Sequence, residues 1–342
     1  MSTLPRIAIV GDYEGVQATS QPVEDLRERA EVTIFSDPIP VEQVAHVLAD
    51  FSVVIAIRER TPFPAEVLDA LPDLELISQS GTHAAHVDLA AASRQGVAVA
   101  CGPAQPGKAR DSLMPELVFG LLFGLTRDLA ALQPEMARGG WPASVGRSVR
   151  GLTLGILGLG RHGQAVAAVA KAFGMRVIAW GPTLDDERAS AHGVERREQP
   201  EDLLPEVDVL SIHLKLSELS RDLLDARRLD LLPSHAIIIN TARGAIIDEA
   251  AMANRLADGR LGGAGLDVFT TEPLPVDSPL RTLDNVLLTP HVGWIVDQNL
   301  VEFAEDTVGH AQAYLDGALQ PSALLNASST AVERQRVGGF SG

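Results

Sequence analysis

The sequence predicts an α/β protein made of two doubly wound domains, each with a parallel sheet. Three observations support this fold class. A chain of 342 residues is too long for one ordinary domain and suits two. Short runs rich in Val and Ile alternate with amphipathic helical patterns, and strands separated by helices favour parallel pairing. The same alternation starts again near residue 152, after a long apolar helical pattern.

The first series of elements occupies the first hundred residues. Apolar runs predict strands at 6–10, 32–35, 52–57, 74–78 and 97–100, with helical patterns at 23–29, 41–49, 65–70 and 84–95. A single long helix is then predicted over residues 112–137. Because much of its surface is apolar, this helix needs a partner, either the other domain or a second subunit.

The second series runs from residue 152 to residue 315. Strands are predicted at 152–157, 176–180, 208–213, 236–240, 265–269 and 286–288, and helical patterns at 163–173, 186–192, 218–224, 248–257 and 297–315. The segment 321–342 is polar, rich in Ser and ends in Gly. We therefore expect it to be a disordered tail.

The composition indicates which binding partners and which cellular compartment are expected. The formal net charge is −17, so binding to nucleic acid or to an anionic membrane surface is not expected. The apolar run 117–125 is less than half the length of a membrane span, and residues 1–10 do not resemble a signal peptide. Cys101 is the single cysteine, which excludes a disulfide framework and fits a cytoplasmic protein; no metal site is predicted.

A glycine fingerprint follows the first strand of the second series. Its residues are Gly158, Leu159, Gly160, Arg161, His162 and Gly163, and they open the helical pattern that ends at Gly174. Gly158 permits a tight turn, Gly160 lets the backbone approach a pyrophosphate, and Gly163 allows close helix packing. The helix start and Arg161 are then expected to hold the phosphates of a dinucleotide.

The acidic residue that usually follows the second strand of such a fold is missing. That strand ends with Trp180, Gly181 and Pro182, and the next charged residues are Asp185, Asp186 and Arg188. An acid at the strand end binds the adenosine ribose and selects NAD, whereas an arginine favours NADP. The choice stays open, and the acidic surroundings favour NAD.

Two side chains near the carboxyl ends of later strands have the chemistry of a dehydrogenase. Arg243 follows strand 236–240, and its planar fork matches a carboxylate. His291 follows a strand and a proline, so its backbone is held. A carbonyl that accepts hydride develops negative charge, and a cation with a proton donor stabilises that charge.

The segments that carry these residues resemble a known signature set. GLGRHG (158–163), NTARGAIIDE (240–249), GAGLDVFTTEPLP (263–275) and LTPHVGW (288–294) are similar, in order and spacing, to motifs of the D-isomer-specific 2-hydroxyacid dehydrogenase family. The resemblance is to the phosphoglycerate and glycerate dehydrogenase branch. It implies an NAD(P)-dependent enzyme that interconverts a 2-oxo acid and a D-2-hydroxy acid, with a small anionic substrate.

The resemblance also implies a role for each matching residue. Arg243 binds the substrate carboxylate and polarises its carbonyl, His291 exchanges a proton with the carbonyl oxygen, and Glu272 holds the imidazole. The residues implied to contact the cofactor are Gly158, Gly160, Arg161, His162, Gly163, Trp180, Gly181, His213, Thr241, Ala242 and Asp267. Asp267 is implied to bind the nicotinamide carboxamide; the alternative is a structural role as a helix cap.

A loop of the first series is implied to bind the substrate. Ser80, Gly81 and Thr82 match the loop whose backbone N–H groups hold the carboxylate, although the Asn or Asp that often follows the glycine is absent. Arg58 matches a residue that helps to bind a distal phosphate. Glu59 stands beside it, and its charge would repel a phosphate.

The family pattern implies a discontinuous arrangement of the chain. Residues 1–105 and 291–320 form the substrate domain, residues 106–290 form the NAD(P)-binding Rossmann domain, and the active site lies in the cleft between them. The helix at 112–137 is implied to supply the interface of a homodimer.

Two other functions stay open at this point. A dehydrogenase of the same fold can act on another anion such as phosphite, and the corepressors of this superfamily bind NADH while acting through protein partners. Formate dehydrogenase is disfavoured because that branch pairs its histidine with Gln rather than with Glu. A panel of 2-oxo acids separates the alternatives.

Overall fold

The computed structural model describes residues 4–104, 112–141 and 144–326, which fall into two compact units. The first unit contains residues 4–104 and 295–326, and the second contains residues 112–141 and 144–294. The boundary expected between residues 105 and 106 lies outside the described residues. Residues 291–294 were expected in the first domain but belong to the second unit, because hydrogen bonds tie Val292 and Gly293 to Asp267.

Parallel strands form the centre of each unit. The strands of the first unit are β1 (Arg6–Val10), β2 (Glu31–Phe35), β3 (Val53–Ala56), β4 (Leu76–Gln79) and β5 (Ala98–Cys101). The strands of the second unit are β6 (Thr153–Leu157), β7 (Arg176–Trp180), β8 (Glu195–Arg196), β9 (Val209–Ile212), β10 (Ile237–Asn240), β11 (Gly263–Leu266) and β12 (Val286–Leu288).

Helices connect these strands. They are α1 (Gln21–Arg27), α2 (Val41–Val47), α3 (Ala65–Asp69), α4 (Leu89–Gln95), α5 (Met114–Thr126), α6 (Leu129–Ala137), α7 (Arg161–Ala172), α8 (Asp186–Ala191), α9 (Pro200–Leu203), α10 (Ala226–Leu229), α11 (Glu249–Ala257) and α12 (Asp297–Leu315). Within the described part of the chain, none of the helices has the length and apolar character needed to cross a membrane.

The sheet of the first unit has the order β2-β1-β3-β4-β5, and all its pairings are parallel. The strand order reverses between β1 and β3. In open α/β sheets, ligands bind outside the carboxyl ends of the strands at such a switch point. Arg58 follows β3 and therefore lies at this edge.

The sheet of the second unit has the order β12-β11-β10-β9-β6-β7-β8, which is the Rossmann order extended by one strand. Its switch point lies between β6 and β9, and the glycine fingerprint follows β6 directly. The predicted fold class, two doubly wound units with parallel sheets, is confirmed.

Near-continuous apolar strands explain why both sheets are buried on two faces. Strands β3, β9 and β10 are buried at every residue, as expected for parallel strands covered by helices on both sides. In the second unit, α5 packs against β10, β11 and α7. In the first unit, α12 packs against α1 and β4, so the helix after residue 295 completes the first unit.

Three local expectations were wrong. The helix predicted over residues 112–137 is two helices, because Asp128 adopts a left-handed backbone (φ 52°) between α5 and α6. Residues 218–224 form turns instead of a helix, with the Ser220 hydroxyl bonded to the Lys215 carbonyl at 2.6 Å. The strand expected at 265–269 is β11 (Gly263–Leu266), and the chain leaves the sheet before Asp267.

The segment expected to be a disordered tail is ordered at its start. Leu324 pairs with Ala100 of β5, and the buried Asn326 side chain bonds the backbone of Val97 and Val99. These bonds satisfy an edge of the first sheet, which explains why residues up to 326 are held. The remainder of the expected tail, 327–342, lies outside the described residues.

Candidate active site

His291 lies in a constrained loop at the end of β12. Its backbone is left-handed (φ 55°), a region that few residues other than glycine adopt. Its N–H donates to the Thr289 carbonyl at 3.1 Å, across Pro290. The proline and this short turn fix the backbone that carries the imidazole.

Asp267 anchors this loop from the end of β11. Its Oδ1 accepts hydrogen bonds from the Thr289 hydroxyl at 2.6 Å and from the Val292 N–H at 2.8 Å. Its Oδ2 accepts from the Gly293 N–H at 2.9 Å. The side chain is 1% exposed, so a buried carboxylate fixes the residues on both sides of His291. It does not cap a helix.

Glu272 and His291 form a hydrogen-bonded pair. The Nδ1 of His291 lies 2.7 Å from Oε2 of Glu272, whose Oε1 accepts from the Phe269 N–H at 2.9 Å. Burial favours the neutral acid, but the bonds from His291 and Phe269 and the nearby charge of Arg243 outweigh it and lower the pKa of Glu272. The carboxylate is therefore ionised at neutral pH and favours an imidazole protonated at Nδ1.

Arg243 follows β10 in a loop that is fixed by Asn240. The side chain of Asn240 accepts from the Ala242 N–H and donates to the Arg243 carbonyl, both at 3.0 Å. The guanidinium donates to the Ala242 carbonyl at 2.6 Å. Because its charge contributes to the lowered pKa of Glu272, Arg243 lies within electrostatic reach of that carboxylate.

The glycine fingerprint has the packing that a dinucleotide needs. Gly158 has φ 99°, and a Cβ there would lie 2.9 Å from the backbone of His213. A Cβ on Gly163 would overlap the Gly158 carbonyl, whereas Gly160 faces open space. Gly160 precedes α7 and gives it no side-chain cap, and the N-terminus of a helix attracts phosphate.

Two histidines of the fingerprint region, His162 and His213, are neutral at pH 7. Burial, and then the nearby charge of Arg161, lower the pKa of His162, whose Nδ1 lies 2.6 Å from the Ser112 hydroxyl. Burial lowers the pKa of His213 to about 3, and its Nε2 lies 2.8 Å from the Ser211 hydroxyl. The buried Thr241 hydroxyl has no hydrogen-bond partner among the described residues, as a group awaiting a ligand would. The residues present therefore fit a dinucleotide.

The predicted substrate loop of the first unit lies against Arg58. The Arg58 N–H donates to the Ser80 hydroxyl at 2.8 Å, and a Cβ on Gly81 would overlap the Arg58 guanidinium. Glu59 lies 3.6 Å from the Arg58 guanidinium and 2.8 Å from the His83 imidazole. Thr82 is exposed in the same loop.

The structure thus groups the predicted residues in two places. Arg243, Glu272 and His291 come together in the second unit, where the fingerprint lies along β6 and α7; Arg58, Ser80 and Gly81 come together in the first unit. The scaffold role of Asp267 was missed, although the Thr two residues before His291 is a donor that could have indicated it. The Ser112 and Ser211 partners gave no sequence signal.

A Rossmann-ordered sheet, a glycine fingerprint at its switch point, and a carboxylate-bound histidine near an arginine define a class. This combination is typical of nucleotide-dependent oxidoreductases that act on anionic substrates. Comparison with known proteins gives the family. Residues 119–293 match the model for the NAD-binding domain of the D-isomer specific 2-hydroxyacid dehydrogenases, and residues 10–109 match the model for their catalytic domain.

The chain therefore belongs to the D-isomer specific 2-hydroxyacid dehydrogenase family, a class of NAD-dependent oxidoreductases that act on CH–OH groups. The resemblance seen in the sequence is confirmed, and NAD is the cofactor of this class.

Individual relatives cover the chain to different extents. The chain is 34% identical to (S)-sulfolactate dehydrogenase of Chromohalobacter salexigens over 86% of its length and 94% of the relative. It is 34% identical to D-3-phosphoglycerate dehydrogenase of Methanocaldococcus jannaschii over 79% of its length, but it spans only 51% of that longer protein. A solved structure of a D-3-phosphoglycerate dehydrogenase-like oxidoreductase from Ralstonia solanacearum matches with a TM-score of 0.86 and 31% identity, covering 97% and 99% of the two chains.

Proposed function

We propose that this protein interconverts a 2-oxo acid and a D-2-hydroxy acid, with Arg243, Glu272 and His291 as its catalytic set. The observation that carries the proposal is the 2.7 Å pair between His291 Nδ1 and Glu272 Oε2, held on a buried Asp267 scaffold. Family membership supports the reaction type, and the names of the relatives support substrates that are small hydroxy acids with anionic groups.

Each catalytic residue has a defined task. A bound cofactor would supply the hydride for the carbonyl carbon in reduction and would accept it in oxidation. His291 donates a proton from Nε2 to the carbonyl oxygen during reduction and removes it during oxidation, because its Nδ1 is engaged by Glu272. Arg243 binds the carboxylate and stabilises the charge that develops on the carbonyl oxygen.

The cofactor is proposed to lie along the fingerprint. The backbone N–H groups at Arg161, His162 and Gly163 would hold its phosphates, next to Gly158 and Gly160. Trp180, Gly181, His213, Thr241 and Ala242 complete the proposed contacts. Asp267 uses three acceptor sites on its own loop, and an ionised carboxylate has about four, so one is left for the cofactor.

The first unit is proposed to recognise the substrate's anionic groups. The backbone of Ser80, Gly81 and Thr82 would hold the carboxylate, and Arg58 would attract a distal anion. The contact of Arg58 with Ser80 and Gly81 supports a shared task for these residues. We propose that this unit is the substrate domain and the second unit the NAD-binding domain, as the two family models suggest.

A homodimer is proposed through the region after α5. Helix α6 has no buried residue, and apolar side chains stand exposed there, including Trp141 at 89% and Val145 at 100%. Such a concentration of exposed apolar surface is typical of an interface.

A cytoplasmic location is proposed from the single free cysteine, Cys101, and the charge of −17.

The proposal is tested by following NADH absorbance with glyoxylate, hydroxypyruvate, pyruvate, phenylpyruvate and 3-phosphohydroxypyruvate. We expect turnover of at least one acid, and His291→Ala should lower kcat/KM by about 10³-fold or more. Oxidation of phosphite with NAD, but turnover of none of the acids, would replace the proposal by the phosphite reaction. Tight NADH binding without any turnover would indicate a sensor instead.

A further inference from the structure

The loop after β7, residues 181–185, lies beside the first turn of the fingerprint; we call it the β7 loop. The Gly158 N–H donates to the Trp180 carbonyl at 2.7 Å. A Cβ on Gly181 would lie 3.7 Å from the Cα of Gly158 and 3.9 Å from the amide nitrogen of Leu159. Residue 181 therefore faces the turn that holds a dinucleotide, at the place where the adenosine ribose is recognised in this fold.

The β7 loop has no acid at the end of the strand, and its one carboxylate, Asp185, caps the start of α8. Residues 181–183 are Gly, Pro and Thr. Asp185 accepts a hydrogen bond from the Arg188 N–H at 2.8 Å and caps α8, while Asp186 is 87% exposed with Arg196 at 3.3 Å. The usual selection against a 2′-phosphate comes from an acid at the strand end, and that acid is absent here.

Positive charge is held on the β7 loop instead. The Nη2 of Arg188 donates to the Thr183 carbonyl at 2.6 Å, and the Nε of Arg196 donates to the Leu184 carbonyl at 2.9 Å. The Nε of Arg188 is buried and has no hydrogen-bond partner among the described residues. In this fold, an arginine near the end of the second strand is the group that accommodates the 2′-phosphate of NADP.

We propose that the protein binds NADP(H) as well as NAD(H), with Gly181 leaving room for the 2′-phosphate and Arg188 pairing with it. This inference concerns the nucleotide alone. It extends the assignment of NAD to the family's binding domain, and it is independent of which acid the enzyme reduces.

Binding to the unmodified protein is the first test. Fluorescence titration gives the dissociation constants of NADH and NADPH, and calorimetry gives those of ADP-ribose and 2′-phospho-ADP-ribose, which lack the nicotinamide. We expect each pair to differ by no more than about tenfold, and the phosphorylated member to weaken more steeply with added salt. A difference above about 100-fold in favour of the unphosphorylated member would overturn the proposal.

Variants at residue 181 test the missing carboxylate. Gly181→Asp fits sterically, because the nearest atom to a new Cβ is the Leu184 Cβ at 3.6 Å. The substitution should weaken the binding of NADPH relative to that of NADH by about 30-fold, because the new carboxylate repels the 2′-phosphate of NADPH and bonds the ribose of NADH. Gly181→Asn is the matched uncharged control and should change the ratio by less than about threefold. An unchanged ratio in Gly181→Asp would overturn the proposal.

Variants at residue 188 test the cation. Arg188→Gln should weaken the binding of NADPH by about tenfold and leave the binding of NADH unchanged. Arg188→Lys should restore much of the lost affinity for NADPH. Arg227→Gln, which changes an exposed arginine of the same unit, should affect neither nucleotide. If Arg188→Gln weakened both nucleotides equally, Arg188 would serve only to order the loop, and its pairing with the phosphate would be wrong.

Discussion

Two loop regions, one from each unit, carry the candidate chemistry and are held in different ways. In the second unit, the His291 loop is fixed by the carboxylate of Asp267, which is 1% exposed and accepts three hydrogen bonds. In the first unit, the Arg58 and Gly81 loops meet through the Arg58 N–H bond to the Ser80 hydroxyl and through Glu59, whose side chain is 33% exposed and lies 2.8 Å from His83. Both regions follow strands at the carboxyl edge of a parallel sheet.

This difference between the two loop regions indicates that proton transfer needs a more rigid loop than substrate recognition does. Hydrogen bonds to a buried charge contribute about 1.5–3 kcal/mol each, whereas exposed ion pairs contribute about 0–1 kcal/mol. Proton transfer requires a donor held within a few tenths of an ångström. Recognition of a variable substrate side chain tolerates adjustable partners. The predictions below test this contrast, from the largest expected effect to the smallest.

Replacement of the buried anchor should have the largest effect. Asp267→Asn turns one acceptor into a donor that faces an N–H or hydroxyl, so the second unit should lose about 3 kcal/mol of unfolding free energy. We also expect kcat to fall about 100-fold because His291 is no longer positioned. Urea unfolding and steady-state kinetics measure these effects. The exposed Asp277→Asn is the matched control; equal behaviour of the two variants would contradict the scaffold role.

The stability of the first unit should fall in acid, because a buried histidine lies in its interior. Burial lowers the pKa of His310 to about 4, against about 6.5 in an unfolded chain. The unfolded state binds the extra proton first, so stability should fall by about 3 kcal/mol as the pH drops from 6.5 to 4. Chemical unfolding at several pH values measures this slope. His310→Leu should remove it and exposed His46→Leu should not; a slope that survives in His310→Leu would refute this cause.

Glu272→Gln should weaken catalysis less than loss of the anchor does. Removal of the carboxylate takes away the acceptor that holds the imidazole at Nδ1, and kcat/KM for reduction should fall about 30-fold. The loss should appear in kcat with KM nearly unchanged, because the imidazole acts on the transition state. Steady-state kinetics beside the exposed Glu218→Gln measure both expectations. A loss that appeared in KM alone would contradict the role given to Glu272.

The smallest change is expected in the first unit. Arg58→Ala should raise KM about tenfold for substrates with a second anionic group and leave simple 2-oxo acids unchanged. Glu59→Gln should lower the same KM about threefold, because the charge that opposes a distal anion is removed. The exposed Arg94→Ala is the control. Equal effects of Arg58→Ala on both kinds of acid would reject a role in distal recognition.

Sequence reasoning captured the features that local patterns encode. Periodicity predicts the strands except the short β8, motif spacing predicts the fingerprint, and the set of Arg243, Glu272 and His291 is implied by the family resemblance. The break at Asp128 depends on a single left-handed residue, and the turns at 218–224 depend on the hydroxyl bonds of Ser220. The triple contact of Asp267 joins residues more than twenty positions apart, so it needs the folded sheet to become visible.

The first unit is interrupted by the second, and this has a consequence for synthesis. Helix α12 covers β4 and α1, and the Gln17 side chain donates to the Leu300 carbonyl at 2.9 Å. These contacts cannot form until residues beyond 295 leave the ribosome, by which time the second unit has emerged whole. Nascent chains arrested on a linker that places residue 294 just outside the ribosome should therefore protect the second unit from protease while β4 remains open to cleavage. Early protection of both would show that α12 is dispensable for closing the first unit.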